Sequence, residues 1–163
     1  MVKRVLLGLL LSIPILHTAV ASDYQNATED RQAIAGLIAE YAFRWDKKDA
    51  AGVAALFSDD GTIDWVLGDK PEATVVKGKE NIAAYARQAH SERLAGKQSR
   101  HHFTNIIFLE LDSAKAVTEH MMFVTHQVPG SAPENVATGY YRIAWKKHDN
   151  QWLMTHRTLF LDR

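Results

Sequence analysis

Cysteine is absent from this chain of 163 residues. Its absence excludes disulfide bridges, metal sites built from thiolates and any lipid anchor attached to a cysteine. The folded chain must therefore be stabilised by its hydrophobic core, and a domain of about 140 residues is large enough to form one. Prolines are also few, at four, and neither repeats nor low-complexity tracts are present, which predicts a single domain.

An excess of charge of one sign is absent as well. The chain has 19 basic and 19 acidic residues, and no block of lysine and arginine stands out. A protein that follows a phosphate backbone needs such a block. The sequence therefore argues against a nucleic-acid partner.

Long apolar runs are missing except near the start. Two basic residues precede an apolar stretch over 5–16, which is too short for a transmembrane helix. Small residues follow at Ala19 and Ala21, the spacing that a signal peptidase recognises. We therefore predict a signal peptide over 1–21 and a single domain over 22–163, exported to the periplasm or secreted, with no membrane attachment after cleavage. The alternative is an N-terminal anchor that is not cleaved.

Apolar residues recur every three or four positions in the first half of the domain and in extended runs in the second half. This change predicts helices first and strands later, in an α+β arrangement of antiparallel hairpins. Thr28 is predicted to cap the first helix and Asp49 the second. The predicted helices cover 28–48, 49–57 and 79–94, a turn covers 59–61, and the predicted strands cover 62–67, 99–111, 114–127, 136–147 and 151–161.

Asp46 and the pair His101-His102 are the residues best suited to chemistry. Asp46 follows the apolar-face residue Trp45 near the end of the first helix, so it can lie at the rim of whatever that face covers. The alternative is a solvated aspartate near a helix end. Adjacent residues on a strand point to opposite faces, so only one of the two histidines can enter a given pocket. A carboxylate and an imidazole that meet across a pocket form a minimal proton-transfer device.

Strand parity places His101 with Phe103 and Asn105 on one face, and it places His120 and His126 together on a face of the next strand. So many histidines in one region raise a metal site as an alternative. No His-x-His pattern or helical histidine pair supports that alternative. We therefore predict neither a metal site nor a cofactor.

Three parts of the chain resemble the SnoaL-like branch of the superfamily that contains nuclear transport factor 2, scytalone dehydratase and ketosteroid isomerase. They are Glu40–Asp49, His101–Asn105, and a closing hairpin with Gly139–Arg142 and Asp149–Trp152. The resemblance extends over about 28–163. It implies a cone-shaped α+β barrel, in which three N-terminal helices pack on a strongly curved, mixed but mainly antiparallel sheet around an apolar cavity.

The resemblance also implies roles for single residues. Asp46 falls on the catalytic aspartate of the family's first helix, and His101 falls on the catalytic base. Tyr41 and His126 fall on positions that line the pocket. Two pocket tyrosines of scytalone dehydratase are replaced here by tryptophans, which donate one hydrogen bond and accept none. Tyr141 is therefore expected to supply the missing phenol.

The sequence thus predicts a cofactor-free lyase or isomerase that removes a proton from a small, apolar, cyclic substrate, with Asp46 and His101 as catalytic residues. One alternative is a non-catalytic exported binding protein with the same cavity, and another is a purely structural dimerisation module. The predicted substrate-binding residues are Tyr41, Trp45, Trp65, His102, Phe103, Asn105, Phe123, His126 and Tyr141.

The convex face of the predicted sheet is apolar enough to be buried against a partner chain. Relatives associate through this face, so the resemblance implies a homodimer or homotrimer. The candidate residues on this face are Ile106, Phe108, Tyr140 and Ala144. Arg142 has the parity of Tyr140, which favours a surface or interface role for it.

Overall fold

The computed structural model describes the backbone of residues 16–67, 70–71 and 75–162, and the side chains of 25–67 and 75–162. The mixture of elements confirms the α+β class, and the four long strands β4–β7 follow the helices as predicted. The elements in chain order are α1 (Leu16–Asp46), α2 (Ala50–Ala55), β1 (Phe57–Leu67), β2 (Lys70–Pro71), β3 (Val76–Lys77), α3 (Lys79–Ser91), β4 (Gln98–Leu111), β5 (Lys115–Gln127), β6 (Glu134–His148) and β7 (Gln151–Leu161).

The helix α1 is longer than predicted. It begins at Leu16, so Thr28 lies inside the helix and not at its N-cap. No proline or glycine occurs between Leu16 and Gly36, and the sequence therefore contains no stop signal in this part. The predicted cleavage point after Ala21 falls in this extension, most of the predicted signal peptide lies outside the described residues, and cleavage stays a prediction. Within the described residues, no helix combines the length and the apolar character needed to cross a membrane.

The other two helices begin as predicted. Asp49 caps α2, because its Oδ1 accepts a hydrogen bond of 2.8 Å from the backbone N–H of Gly52. Gly78 precedes α3 with a φ of 90°, a conformation that a residue with a side chain rarely adopts. The predicted turn over 59–61 is wrong, since these residues belong to β1, where the pairing with β7 is irregular.

The long strands form one sheet in the order β2-β1-β7-β6-β5-β4, and β3 pairs separately with β1. The neighbours β4–β5, β5–β6 and β6–β7 are antiparallel, whereas β1 runs parallel to β7. This topology confirms the predicted mixed, mainly antiparallel sheet. The side of the sheet that packs against the helices is called the inner face below, and the opposite side is called the outer face.

Extra residues in β4, β6 and β7 bend the sheet. β4 has one residue more than β5 at Asn105, which has a φ of 56°, and β7 has one residue more than β6 at Thr155. Such a bulge curves a strand and reverses the face to which the following side chains point. Side-chain parity therefore changes along β4 and again along β7.

The core lies between the inner face and the helices. α1 contributes Ile34 and Ile38, and α3 contributes Ile82, each at most 1% exposed. Trp145 of β6 is buried beneath them, and its indole N–H donates a hydrogen bond of 2.8 Å to Thr118 Oγ1. At the end of the sheet where α1 terminates, aromatic, histidine and arginine side chains join the aliphatic ones, and a cavity opens.

The outer face is more exposed and partly apolar. Its exposed apolar side chains include Ile107, Leu109, Met121 and Phe123. Tyr140 lies there as predicted and stacks on Phe160, with 4.5 Å between ring centroids. Ile106 and Phe108 were predicted on this face but pack against the core, because the bulge at Asn105 reverses their parity. Self-association through the outer face stays a prediction.

Candidate active site

Asp46 is held where the end of α1 meets the start of β4. Ser99 Oγ donates to its Oδ1 over 2.8 Å, and the backbone N–H of His101 donates to its Oδ2 over 2.8 Å. The ring Nδ1 of His101 lies 2.7 Å from Oδ1. Only 9% of the Asp46 side chain and 8% of the His101 side chain are exposed. Three contacts from one strand therefore fix the carboxylate against the imidazole.

These contacts also keep Asp46 ionised. Burial raises the pKa of this carboxyl group, but the hydrogen bonds from the ring and the backbone of His101, the attraction to that ring, and the hydrogen bond from Ser99 together lower the pKa below its usual value. An ionised carboxylate can only accept hydrogen bonds. His101 Nδ1 must therefore donate the proton of the shared bond, which leaves Nε2 as the ring nitrogen that can act as a base.

His101 also lines a cavity of about 360 Å³, and with Nδ1 turned towards Asp46 the ring edge that carries Nε2 is the one free to face this cavity. The two ring nitrogens lie on opposite edges of the imidazole, and Nδ1 is turned towards Asp46. His101 lines the cavity, whereas Asp46 does not. The volume falls within the range of roughly 300–1,000 Å³ that is typical of small-molecule sites. The structure thus places a positioned base at the wall of a ligand-sized space.

Tyrosines and tryptophans form one part of the remaining wall, and aliphatic side chains form another. Trp45 stacks on Tyr41 with ring centroids 6.1 Å apart, and Trp65 packs on Tyr85 at 5.2 Å. Tyr141 meets Tyr41 edge to face at 6.2 Å. Of the predicted substrate-binding residues, the structure brings five to this cavity: Tyr41, Trp45, Trp65, His126 and Tyr141.

Four predicted substrate-binding residues do not line the cavity. His102 and Phe123 lie on the outer face, where their rings contact each other at 5.4 Å, because each is adjacent in sequence to a residue that points inwards. Asn105 is the bulged residue of β4 and contacts Met121 Sδ, so the parity that grouped it with His101 fails. Phe103 does lie on the inner face, but it packs behind the cavity wall.

His126 lies on the inner face of β5, where it pairs with Ser99 of β4. Burial is the largest cause that lowers the pKa of His126, and the positive charges of Lys97 and Arg93 lower this pKa further. A neutral imidazole at this place can either donate or accept a hydrogen bond. It therefore provides a second group able to exchange a proton with a ligand in the cavity.

The two cavity tyrosines remain protonated. Burial raises the pKa of Tyr41 and of Tyr141, and the nearby charge of Arg157 offsets this only in part. A protonated phenol can donate its hydrogen to an oxygen of a ligand. Tyr41 and Tyr141 can therefore act as donors to a carbonyl oxygen that gains negative charge.

Arg157 is the main cavity residue that sequence reasoning missed. Only 3% of it is exposed, and its Nη1 donates a hydrogen bond of 2.8 Å to the Tyr41 hydroxyl. Counting alternate residues from Trp152 would turn Arg157 outwards. The extra residue Thr155 reverses the parity and turns Arg157 into the cavity instead.

Three further residues of the site were not singled out from the sequence. Tyr85 and Arg93 come from α3 and the loop after it, and both line the cavity. Ser99 orients the carboxylate of Asp46. Ser99 lies two positions before His101, so strand parity could have identified it as a neighbour on the same face. Across the described residues, histidine and acidic side chains form no group of three suited to a metal ion.

Comparisons with known proteins agree with this architecture. A profile of the SnoaL-like domain matches residues 26–158. None of the curated proteins compared with the chain matches it. Solved structures that match include the D26N variant of Rv3472, a protein of unknown function from Mycobacterium tuberculosis, with 25% sequence identity and a TM-score of 0.74 over 86% of this chain and 76% of that one.

Two further solved structures come from Novosphingobium aromaticivorans. An NTF2-like protein with a cystatin-like fold has 21% identity and a TM-score of 0.74, covering 92% of each chain. A candidate scytalone dehydratase has 18% identity and a TM-score of 0.72, covering 86% of this chain and 89% of that one. At these identities the similarity shows the fold alone. Together with the profile match over most of the sequence, it shows that the chain belongs to the SnoaL-like domain family.

Proposed function

We propose that the protein is a cofactor-free lyase or isomerase that uses His101 as a base on a small cyclic ligand. The observation that carries this proposal is the contact of 2.7 Å between His101 Nδ1 and the buried Asp46, with the opposite ring edge at the cavity wall. The proposal needs nothing beyond the side chains described above.

In the first step, His101 Nε2 takes a proton from a carbon next to a carbonyl group of the ligand. The electron pair of the broken C–H bond moves into a new C=C bond, and the carbonyl oxygen gains negative charge. Asp46 stabilises the imidazolium that forms, and a positioned base of this kind is worth about 10²- to 10⁴-fold in rate. The phenols of Tyr41 and Tyr141 are placed to donate hydrogen bonds to the charged oxygen.

In the second step, the charged oxygen re-forms the carbonyl group. The electron pair of the C=C bond then moves towards the neighbouring carbon and expels a leaving group from it. If the leaving group is a hydroxyl, it takes a proton from the imidazolium and departs as water; a halide departs without one. If nothing leaves, the proton returns to a different carbon and the reaction is an isomerisation. His126 lies on the same inner face and can supply or accept the second proton.

The family comparison supports the fold in which the proposed site lies, and it names neither a reaction nor a substrate for this chain. One solved relative is a candidate scytalone dehydratase, but at 18% identity it is a guide to the fold only. Trp45 and Trp65 occupy positions that would be tyrosines under the resemblance. Tyr41 and Tyr141 therefore supply the hydrogen-bond donors in our proposal. The carbonyl oxygen would lie closer to these two phenols than to the indoles of Trp45 and Trp65.

A second candidate function is ligand capture without turnover. The aromatic part of the wall favours it, because rings such as Trp45, Tyr41 and Tyr85 can bind a planar ligand whatever chemistry follows. Capture requires neither the base nor its carboxylate. Binding that is indifferent to Asp46→Asn, with no product formed, would favour this candidate.

A solvent-exchange experiment separates the two candidates. Steroids, phenolic ketones and halogenated rings are first screened for binding by thermal shift. Compounds that bind are then incubated with the protein in D₂O, and mass spectrometry records deuterium uptake and loss of water or halide. We expect uptake or elimination with the wild type and with His156→Gln, which changes a histidine on the outer face, and neither with His101→Gln. Exchange that survives in His101→Gln contradicts the assignment of the base.

A further inference from the structure

Among the described residues, the charged side chains around the cavity are all of one sign. The described part of the wall includes two arginines, Arg93 and Arg157, and two histidines, but no aspartate or glutamate. Asp46 lies behind His101, where its oxygens already accept three hydrogen bonds. Arg157 lies against the ring of the buried Tyr141, and Arg93 lines the same cavity, so both positive charges border the space that a ligand would occupy. The cavity therefore offers a positive potential to a ligand.

Arg157 provides the positive charge that is buried most deeply. Its guanidinium lies 4.8 Å from the ring centroid of Tyr141 and 5.7 Å from that of Tyr41. Nη1 is occupied by the Tyr41 hydroxyl, whereas Nε is buried and has no hydrogen-bond partner among the described residues. Aromatic faces and a phenol offset part of the cost of burying the charge, but they do not neutralise it.

Other arginines of this protein show the usual arrangement. Arg44 on α1 contacts Glu40, and Arg142 on the outer face contacts Glu119 at 2.6 Å. Both of these arginines are considerably more exposed than Arg157. No carboxylate oxygen of the described residues lies within 4.0 Å of Arg157. A buried guanidinium without an acidic partner, at the wall of a ligand-sized space, is a site for an anion that arrives with the ligand.

We propose that the ligand of this cavity is a ring compound that carries an acidic group, and that its anion binds to Arg157. The inference rests on the proposed function, because it takes the same cavity as the substrate site. A carboxylate suits a single guanidinium, since it can accept from N–H groups that the hydrogen bond to Tyr41 leaves free. The ring would then lie between the aromatic walls, with another of its carbons towards His101.

Matched ligands test the charge preference directly. Isothermal titration compares 2-naphthoate with 2-naphthamide, which have the same rings but differ in charge. We expect the wild type to bind the acid at least about tenfold more tightly than the amide, which corresponds to about 1.4 kcal/mol. In Arg157→Gln the two affinities should become equal. Arg142→Gln, which removes an outer-face arginine, should keep the wild-type preference and is the matched control.

Two results overturn the inference. One is equal binding of acid and amide by the wild type, and the other is a preference for the acid that survives in folded Arg157→Gln. If Arg157→Gln does not fold, Arg157→Lys and the salt dependence of wild-type binding replace it. A preference that is unchanged in Arg157→Lys and insensitive to salt is then the contradicting result, because a lysine cannot reproduce the donor geometry of a guanidinium.

The inference and the proposed function can fail separately. Ligand binding is also measured in His101→Gln, where the acid preference should remain although turnover is lost. Turnover of neutral ligands with no preference for acids overturns the anion site and leaves the base assignment intact. A strong preference for acids without deuterium exchange or elimination overturns the base assignment and leaves the anion site intact.

Discussion

His101 and His156 each contact an aspartate, the first on the inner face and the second on the outer face of the same sheet. Nδ1 of His101 lies 2.7 Å from Asp46, and Nε2 of His156 lies 2.9 Å from Asp64. Measured by distance alone, the two pairs are nearly equivalent. Their surroundings are not, and the comparison shows what a proton-transfer site needs besides a histidine and a carboxylate.

Burial and orientation distinguish the two pairs. The inner pair is more than 90% buried, whereas 48% of the His156 side chain and 24% of the Asp64 side chain are exposed. Asp46 also accepts from Ser99 and a backbone N–H, which fixes its orientation. On the outer face, water competes with the pair and weakens its electrostatic interaction. Only the inner pair has a free ring nitrogen at the wall of a cavity, so only there can a proton pass to an enclosed ligand.

The largest predicted effect is on turnover. Asp46→Asn removes the charge that stabilises the imidazolium and allows the ring to adopt the wrong tautomer. We expect the rate of deuterium exchange or elimination to fall by about 10²- to 10⁴-fold. Asp64→Asn makes the same chemical change in the outer pair and should alter the rate by less than about twofold, since its pair does not face the cavity. Similar losses in both variants would show that the cavity does not distinguish the two pairs.

The sequence was sufficient to predict the inner pair because no bulge precedes it on its strand. The spacing of apolar residues along the sequence located the four long strands β4–β7 to within a few residues. Parity on β4 is regular from Ser99 to Phe103, so alternation was enough to show that His101 and His102 point to opposite faces of the strand. The resemblance to the family then favoured His101 over His102 as the residue that faces the cavity.

Residues beyond the bulges could not be placed in the same way. Asn105 and Thr155 are ordinary polar residues in extended stretches, and neither carries a strong local signal for an extra residue. Bulges depend on how two strands pair, which is tertiary information. Asn105 was therefore predicted in the cavity that it does not reach, and Arg157 was overlooked although it lies in the cavity wall.

The next largest effect concerns pH and His120, an inner-face histidine outside the proposed mechanism. Burial, followed by the charge of Arg157, lowers the pKa of His120 from its usual 6.5 to about 4, and neither ring nitrogen has a hydrogen-bond partner among the described residues. Between these pH values the unfolded chain binds more protons, so the free energy of unfolding decreases as the pH falls from about 6.5 towards 4. The shift corresponds to about 3 kcal/mol.

His120→Leu should remove this loss. Urea unfolding at several pH values measures the difference between variant and wild type, and that difference should move in favour of the variant by about 3 kcal/mol between pH 7 and pH 4. His90 and His126, whose pKa values are also lowered, contribute with the same sign in both proteins and cancel in the difference. His156→Leu is the outer-face control, since about half of that side chain is exposed to water. A pH-independent difference for His120→Leu contradicts the buried, neutral ring.

A smaller effect is expected on the free energy of unfolding, which should respond differently to the loss of a hydroxyl group from Tyr41 on the inner face and from Tyr140 on the outer face. Tyr41→Phe removes the hydroxyl that accepts from Arg157, and the buried guanidinium loses its hydrogen bond. We expect the free energy of unfolding to fall by about 1–2 kcal/mol. Tyr140→Phe keeps the ring that stacks on Phe160 and should cost less than about 0.5 kcal/mol. Chemical denaturation of both variants measures the contrast, and equal losses would mean that the hydroxyl of Tyr41 contributes nothing specific.

The smallest effect is the interaction within the outer pair itself. A double-mutant cycle with Asp64→Asn and His156→Gln should give a coupling energy below about 1 kcal/mol that falls further at high salt, as for other exposed ion pairs. The same cycle with Asp46→Asn and His101→Gln should give a larger coupling energy that salt reduces less, because both side chains are shielded from solvent. Denaturant unfolding at low and high salt supplies all the values. Coupling of equal size and equal salt dependence on the two faces would mean that burial does not strengthen the inner contact, and the case for His101 as an activated base would lose its electrostatic support.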